Sequence, residues 1–211
     1  NVSNIIDMSW LKNPVYKDHI RSVLYIWQGG MESGNAVADV LSGKVSPSGK
    51  LTDTIACSLA DYPAANDFGD NVRNFYTEDI YVGYRYFETF CPEKVMYEFG
   101  FGLSYSKFDI EILKAETVTE ESKVGGAWGS HGVSIDNGTC AGKEVQITIC
   151  VKNTGDCRGK EVVQVYVQAP QGKLGKPARE LKAFAKTKEL APGEKQKMTL
   201  HIPVKNLASY D

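Results

Sequence analysis

No apolar run in the 211 residues approaches the ~20 that a membrane-spanning helix needs. The start, NVSNIIDMSW, has neither the basic n-region nor the long apolar h-region of a secretory leader. No membrane partner is expected. A basic excess is missing as well: 24 Lys+Arg stand against 26 Asp+Glu, a formal charge of -2, so there is no cationic stripe for nucleic acid. The three histidines, His19, His131 and His201, lack the spacing of a metal site or a catalytic triad. The five cysteines, Cys57, Cys91, Cys140, Cys150 and Cys157, are odd in number and contain no C-x-x-C. Neither a metal nor another cofactor is expected. The cysteines are read as free thiols, each a small buried hydrophobe, which favours a reducing compartment or an anaerobic cell; with no signal in the sequence given, a cytoplasmic location is the favoured expectation. Asn1-Val2-Ser3 and Asn137-Gly138-Thr139 match the glycosylation acceptor pattern but arise easily by chance.

What is present divides into two textures. VLYIW (Val23 to Trp27) is an apolar run of strand length, followed by Gly29-Gly30 and then by ESGNAVADVLSG, where Ala36, Val37, Val40 and Leu41 recur at helical spacing. The helix is expected to start near Glu32 and to end at Gly43, with a turn at SPSGK (Ser46 to Lys50). A continuous apolar strand belongs to a parallel sheet covered on both faces, and one strand–turn–helix unit cannot build such a sheet alone. Either the missing strands come from another chain or this one is cut from a longer one, and the cut is the favoured reading, since domains carry their own cores. Residues 1–75 are expected to be part of an α/β-sandwich domain with a parallel sheet.

From residue 106 the texture is all-β. FDIEILKAE (Phe108 to Glu116), EVQITICVKN (Glu144 to Asn153), EVVQVYVQA (Glu161 to Ala169), ARELKAFAKTKEL (Ala178 to Leu190) and KQKMTLHIPV (Lys195 to Val204) alternate or are rich in β-branched residues. Asn153-Thr154-Gly155-Asp156 and Ala191-Pro192-Gly193-Glu194 carry turn chemistry. About seven strands so spaced make residues 106–211 a fibronectin type III or immunoglobulin-like sandwich. The Gly/Ser-rich stretch Lys123 to Gly138 is expected to be a long mobile connection inside it.

Between the two lies an aromatic connecting segment, residues 76–105. YTEDIYVGYRYFETF packs six aromatic side chains around and behind Glu78 and Asp79. Read as a strand, it puts Ile80, Val82, Tyr84 and Tyr86 on one face and Tyr81, Gly83, Arg85 and Phe87 on the other, Gly83 allowing a neighbouring backbone close. Rings on both faces suit a segment covered on two sides. Tyr84 and Tyr86 are accordingly the expected domain-docking residues, in preference to a sugar-stacking platform.

These residues carry a family resemblance. Trp27-Gln28-Gly29-Gly30-Met31-Glu32-Ser33-Gly34, Ala38-Asp39-Val40-Leu41-Ser42-Gly43 and Ser46-Pro47-Ser48-Gly49-Lys50-Leu51 are similar to the W-x-G-x-E-x-G, ADVL-x-G and NPSGKLP run of glycoside hydrolase family 3. Glu78 to Phe87 and Phe99 to Tyr105 resemble that family's EGIYVGYRYYD and FGYGLSYT. Asn153-Thr154-Gly155, Gly159 to Tyr166, Arg179-Glu180-Leu181-Lys182 and Leu190 to Glu194 resemble its fibronectin type III-like module. Ser33 and Thr52-Asp53 depart slightly from the pattern.

The resemblance implies a retaining β-glucosidase, with an Asp nucleophile on a (β/α)8-type barrel and a Glu acid/base from the α/β sandwich, two carboxyls ~5 Å apart. An SDW-like nucleophile motif occurs nowhere in the chain, and the acid/base loop would precede the Val23 strand. No catalytic residue is therefore assigned. Of the chain's own carboxylates, Glu32, Asp39, Asp53, Glu78 and Asp79, most are read otherwise than as an acid–nucleophile pair: Glu32 as a first-turn helix charge, Asp39 as a solvated or capping side chain, and Glu78-Asp79 as a turn. Gln28, Glu32 and Tyr76 are the weak substrate-binding candidates. The expected partners are a β-linked gluco-oligosaccharide, met through the parent enzyme, and the missing barrel and α/β-sandwich segments. The competing function is a stand-alone module binding carbohydrate or protein through sandwich loops and rings such as Trp128.

Overall fold

The computed structural model describes residues 5–67, 69–70, 72–119 and 143–209. Trp128, His131, Cys140, both acceptor sites and the stretch expected to be mobile lie outside them. The chain forms two compact units: Asn1–Lys44, Lys50–Gly102 and Pro177–Arg179 make the first, and Val45–Gly49, Leu103–Lys176 and Glu180–Asp211 the second. Among the described residues, no helix is long and apolar enough to cross a membrane.

In the first unit, helix α1 spans Ser33–Leu41 with Glu32 as its N-cap and Ser42 as its C-cap, and Gly43 follows at φ 76°. Start and stop agree with the sequence expectation. The strand expected at Val23–Trp27 does not form. A strand exists only as one side of a ladder, and this run pairs with no other strand among the described residues; Val23 and Leu24 stay exposed. The sheet present is small and antiparallel, β1 (Ile55–Ala56) beside β2 (Val95–Tyr97).

SPSGK is likewise not a turn. The side chains of Ser46 and Lys50, and the backbone of Leu51 that follows, bond across to the later FGFGLSY run. In the first unit Leu51 N donates to the Phe101 carbonyl (2.8 Å), Gly100 N to the Leu51 carbonyl (2.7 Å) and Lys50 Nζ to the Gly102 carbonyl (2.9 Å). In the second, the Ser46 and Ser104 hydroxyls lie 2.8 Å apart, and Tyr105 N donates to Ser46 Oγ (3.1 Å). Each unit thus joins residues some fifty positions apart in sequence.

The largest correction falls on DIYVGYRYF. Its second half is a helix, α2 (Tyr84–Phe90), entered through Gly83 at φ 61°. Left-handed backbone is natural only to glycine, so Gly83 supplies a conformation here. It does not serve a close approach, because a Cβ built on it meets nothing within 4 Å. Tyr84, Phe87 and Cys91 are buried, and their i, i+3, i+7 spacing is helical. Two residues apart on a helix are about 200° apart, so Tyr84 and Tyr86 do not share a face. Phe87, fully buried, packs with Ala56 and Cys91 at the centre of this unit.

The second unit follows its sequence pattern closely. Strands β3 (Phe108–Thr119), β4 (Lys143–Asn153) and β7 (Lys195–Pro203) form one antiparallel sheet in the order β3-β4-β7, and β5 (Val162–Val167) pairs with β6 (Glu180–Lys186) in another. Among the described residues these five strands stand where about seven were expected. Ile149, Val151 and Leu200 from the first sheet share a core with Val163 from the second, joined by Leu190.

Along β4 the inward stripe Val145, Ile147, Ile149, Val151 ends on a fully buried asparagine, Asn153. All four of its amide positions are used. Ser106 Oγ (2.6 Å) and Gly155 N (3.0 Å) donate to its Oδ1, and its Nδ2 donates to the carbonyls of Cys157 and Leu190, both at 2.8 Å. A buried amide so satisfied stabilises the fold instead of costing it. Its backbone bonds to Gly193 and Glu194, so the NTG and APGE turns meet on one residue.

Candidate functional site

Each candidate is best followed from its own element. Gln28 is exposed, just ahead of α1, and Glu32 caps that helix, its Oε2 accepting from Asn35 Nδ2 at 2.5 Å. Gly29 is required beside them, since a Cβ there would lie 3.2 Å from Ser33 Cα. Tyr76 is exposed at 87 % in the stretch that follows Asp70. That stretch is organised by polar side chains: Asp70 Oδ1 accepts from Val72 N (2.8 Å) and Arg73 N (3.1 Å), and the Thr77 hydroxyl bonds Asp67. The two amide donors hold the Asp70 carboxyl below the usual carboxylate range. Glu32 stands at the N-terminal end of α1, and Gln28 lies four residues before it in irregular backbone. Among the described residues no hydrogen bond or ring contact joins Tyr76 to either.

The carboxylates are distributed as structural groups. Asp39 pairs with Lys44 Nζ at 2.9 Å on the surface, and seven residues of helix separate it from Glu32, about 10 Å of rise. A retaining pair needs ~5 Å. Glu78 and Asp79 occupy a turn closed by Tyr81 N on the Glu78 carbonyl (2.8 Å), with Asp79 itself at φ 48°.

Asp53 is different. Burial pushes its carboxyl up from the ordinary value, with a hydrogen bond from Thr52 opposing. The phenols of Tyr25 and Tyr62 are raised too, each first by burial and then in part by the charge of Asp53. The Tyr62 hydroxyl donates to the Thr54 carbonyl (2.9 Å) and accepts from Ala56 N (3.0 Å). The Tyr62 hydroxyl is thus committed to the backbone on either side of Ile55, and Asp53 acts on the two phenols through its charge. Sequence reasoning missed Tyr25 and Tyr62 here; the departure at Thr52-Asp53 was the only signal.

The aromatic segment largely packs on itself within the first unit. Tyr84 lies 4.8 Å from Phe99, Tyr81 4.8 Å from Phe90, Tyr62 edge-on to Phe87 at 5.4 Å, and Tyr86 touches Phe87 and Phe90 at 5.4 and 5.5 Å. Offset and edge-on rings of this kind stabilise beyond the area they bury. Burial and the neighbouring Cys91 raise the Tyr86 phenol.

Of the cysteines described, Cys57, Cys91, Cys150 and Cys157 are free, as expected. Only Cys91 is buried; the others are half-buried, so the expectation of buried thiols fails for three. Lys12 Nζ donates to Cys57 Sγ at 3.2 Å. His201 Nδ1 lies 3.1 Å from Glu144 Oε1 on the second unit's surface. The described residues contain no cluster of His, Cys, Asp and Glu that could hold a metal.

Comparison with known proteins places this geometry. Residues 1–105 match the glycosyl hydrolase family 3 C-terminal domain, and residues 161–211 match the fibronectin type III-like domain. The chain is 49% identical over 214 residues to beta-glucosidase A of Butyrivibrio fibrisolvens, covering 100% of this chain and 24% of that protein. It is 46% identical to the beta-glucosidase of Ruminococcus albus, covering 100% of this chain and 19% of that one. The crystal structure of a beta-glucosidase from Paenibacillus barengoltzii superposes over 100% of this chain and 21% of its own, with a TM-score of 0.85 and 51% identity. Beta-glucosidase 3B from Thermotoga neapolitana, in complex with glucose, gives 0.77 at 38% identity over 100% of this chain and 26% of its own. The chain thus spans about a fifth to a quarter of the proteins it matches.

Proposed function

The chain belongs to glycoside hydrolase family 3, and we propose that it is the non-catalytic portion of a retaining β-glucosidase acting on terminal β-D-glucosyl residues of oligosaccharides or glucosides. The observation that carries this reading is the end-to-end match to beta-glucosidases about four to five times longer. In the parent, a barrel and further α/β-sandwich segments supply the nucleophile and the acid/base, and the Val23–Trp27 run takes its place in a parallel sheet. This chain contributes scaffold: the α1 end with Gln28 and Glu32, exposed Tyr76 on the substrate side, and the ring cluster with Tyr84 and Tyr86 that docks domains.

Hydrolysis with retention requires a nucleophile and an acid/base acting together. On this reading neither role is filled by the 211 residues, and the purified chain will not release the chromophore from an aryl β-glucoside, while the parent enzyme will. Turnover by the chain alone, abolished by replacing one of its own carboxylates such as Asp53, would overturn the proposal and make the chain an enzyme in itself.

A further inference from the structure

The connection between β5 and β6 is longer than an antiparallel pair requires. Strand β5 ends at Val167 and β6 begins at Glu180, leaving residues 168–179 between them, whereas such pairs close with about two to five residues. Its first nine residues, 168–176, are mostly exposed and include Lys173 and Lys176, each next to a glycine, Gly172 and Gly175. Its last three are held in a quite different way. Pro177 is buried. Ala178 N donates to Thr89 Oγ1 at 2.9 Å, and that hydroxyl itself donates to the Arg85 carbonyl at 2.5 Å, which turns its lone pairs outward from α2. Arg179 forks onto Glu88, Nε to Oε2 at 2.5 Å and Nη2 to Oε1 at 2.7 Å.

We propose that Pro177–Arg179 is a latch on the C-terminal turn of α2 and that residues 168–176 are a strap whose order depends on it. Beside the buried Pro177, two consecutive residues anchor by independent means, a backbone amide on a hydroxyl and a bidentate ion pair. The ion pair is the controlling element. Glu88 is only 16% exposed while Arg179 is 44% exposed, so opening leaves a sheltered carboxylate without its fork, and a planar guanidinium cannot be replaced there by a point charge. Neither Pro177 nor the Thr89 bond has comparable reach, since one is a small ring and the other a single neutral hydrogen bond. The strap's own internal tie is weak, Gln171 Nε2 to the Lys176 carbonyl at 3.2 Å.

The test is a charge swap read by hydrogen exchange on the full chain. Glu88→Arg and Arg179→Glu should each accelerate exchange of the Ala178 amide, whose acceptor is Thr89 Oγ1, by about tenfold or more, the factor that each 1.4 kcal/mol of opening free energy gives. Amides of residues 144–151 should stay at the wild-type rate. The double variant E88R/R179E should return the Ala178 amide to within about threefold of wild type, the pairwise signature of a coupled contact. Single variants that leave the Ala178 amide unchanged would overturn the latch, as would equal acceleration in 144–151, which would mean general destabilisation. A double variant no better than the singles would also overturn it. Arg179→Lys should open the strap partly, since it keeps the charge and loses the fork.

Discussion

In the second unit β3 and β4 stay paired from Phe108–Asn153 to Thr119–Lys143, whereas in the first β1 and β2 meet only at Ile55–Tyr97 and Ala56–Val95. The second is held by long ladders over an alternating aliphatic core. The first is held by rings, with Phe87 at the centre, Tyr62 and Tyr86 around it, and Tyr84 against Phe99. The contrast shows two ways of stabilising one chain. Long ladders satisfy backbone groups locally and in series, so their stability is spread along the strands. A ring cluster concentrates it on a few large side chains and leaves neighbouring backbone, such as Val23 to Trp27, without a ladder.

The largest expected difference between the units lies in local opening. Amides of residues 23–43 should exchange faster than those of residues 144–151 by about a hundredfold or more, since locally open segments lie far below the global unfolding free energy. Equal protection in both would show that the first unit is as cooperative as the second. Next comes Asn153→Ala. Losing the amide orphans the Cys157 carbonyl and the Ser106 hydroxyl, while the Leu190 carbonyl keeps Gly159 N and Gly155 N keeps the Lys107 carbonyl, and each buried orphan costs about 1–3 kcal/mol. Urea unfolding of the second unit should lose roughly 3–5 kcal/mol. A loss under about 1 kcal/mol would mean that the turns do not depend on this hub.

Tyr86→Ala probes the ring-built unit in the same way. It removes a half-buried ring that touches Phe87 and Phe90, and should lower the first unit's stability by about 1.5–3 kcal/mol while leaving the β4 amides unchanged. In the parent, unchanged melting together with a large rise in KM for a β-glucoside would instead make this ring a sugar platform.

The smallest effect is expected at Asp53. Its folded pKa lies above the unfolded value because burial disfavours the carboxylate. The first unit therefore loses stability as pH rises from the ordinary carboxylate range through the folded pKa, and regains it on acidification. Asp53→Asn should melt slightly higher than wild type at pH 7, with the difference vanishing below about pH 4. A difference that persists unchanged at low pH would point to packing instead of charge.

How much can be read in advance differs between the units for the same physical reason. Strands β3 to β7 are legible to within a few residues because a strand with one face inward repeats every two residues, and that pattern is written in the sequence whatever it packs against. Helix α1 is legible from its spacing and from Gly43. The stretch DIYVGYRYF misleads because a seven-residue helix offers too few turns for its period to stand out from alternation; Tyr84, Phe87 and Cys91 reveal it only once their burial is known. Val23 to Trp27 misleads because its apolar composition specifies a buried strand but cannot supply the neighbour that makes one.

The order of residues alone determined the family, the alternating strands and the turn chemistry at Asn153 and Gly193, all of which are local patterns. Tertiary structure decided that Asn153 gathers two turns, that SPSGK bonds to FGFGLSY, and that Arg179 reaches Glu88 across 91 positions. Those contacts join groups far apart in sequence. Their partners are selected by where the folded backbone places them, and no periodicity along the chain encodes that distance.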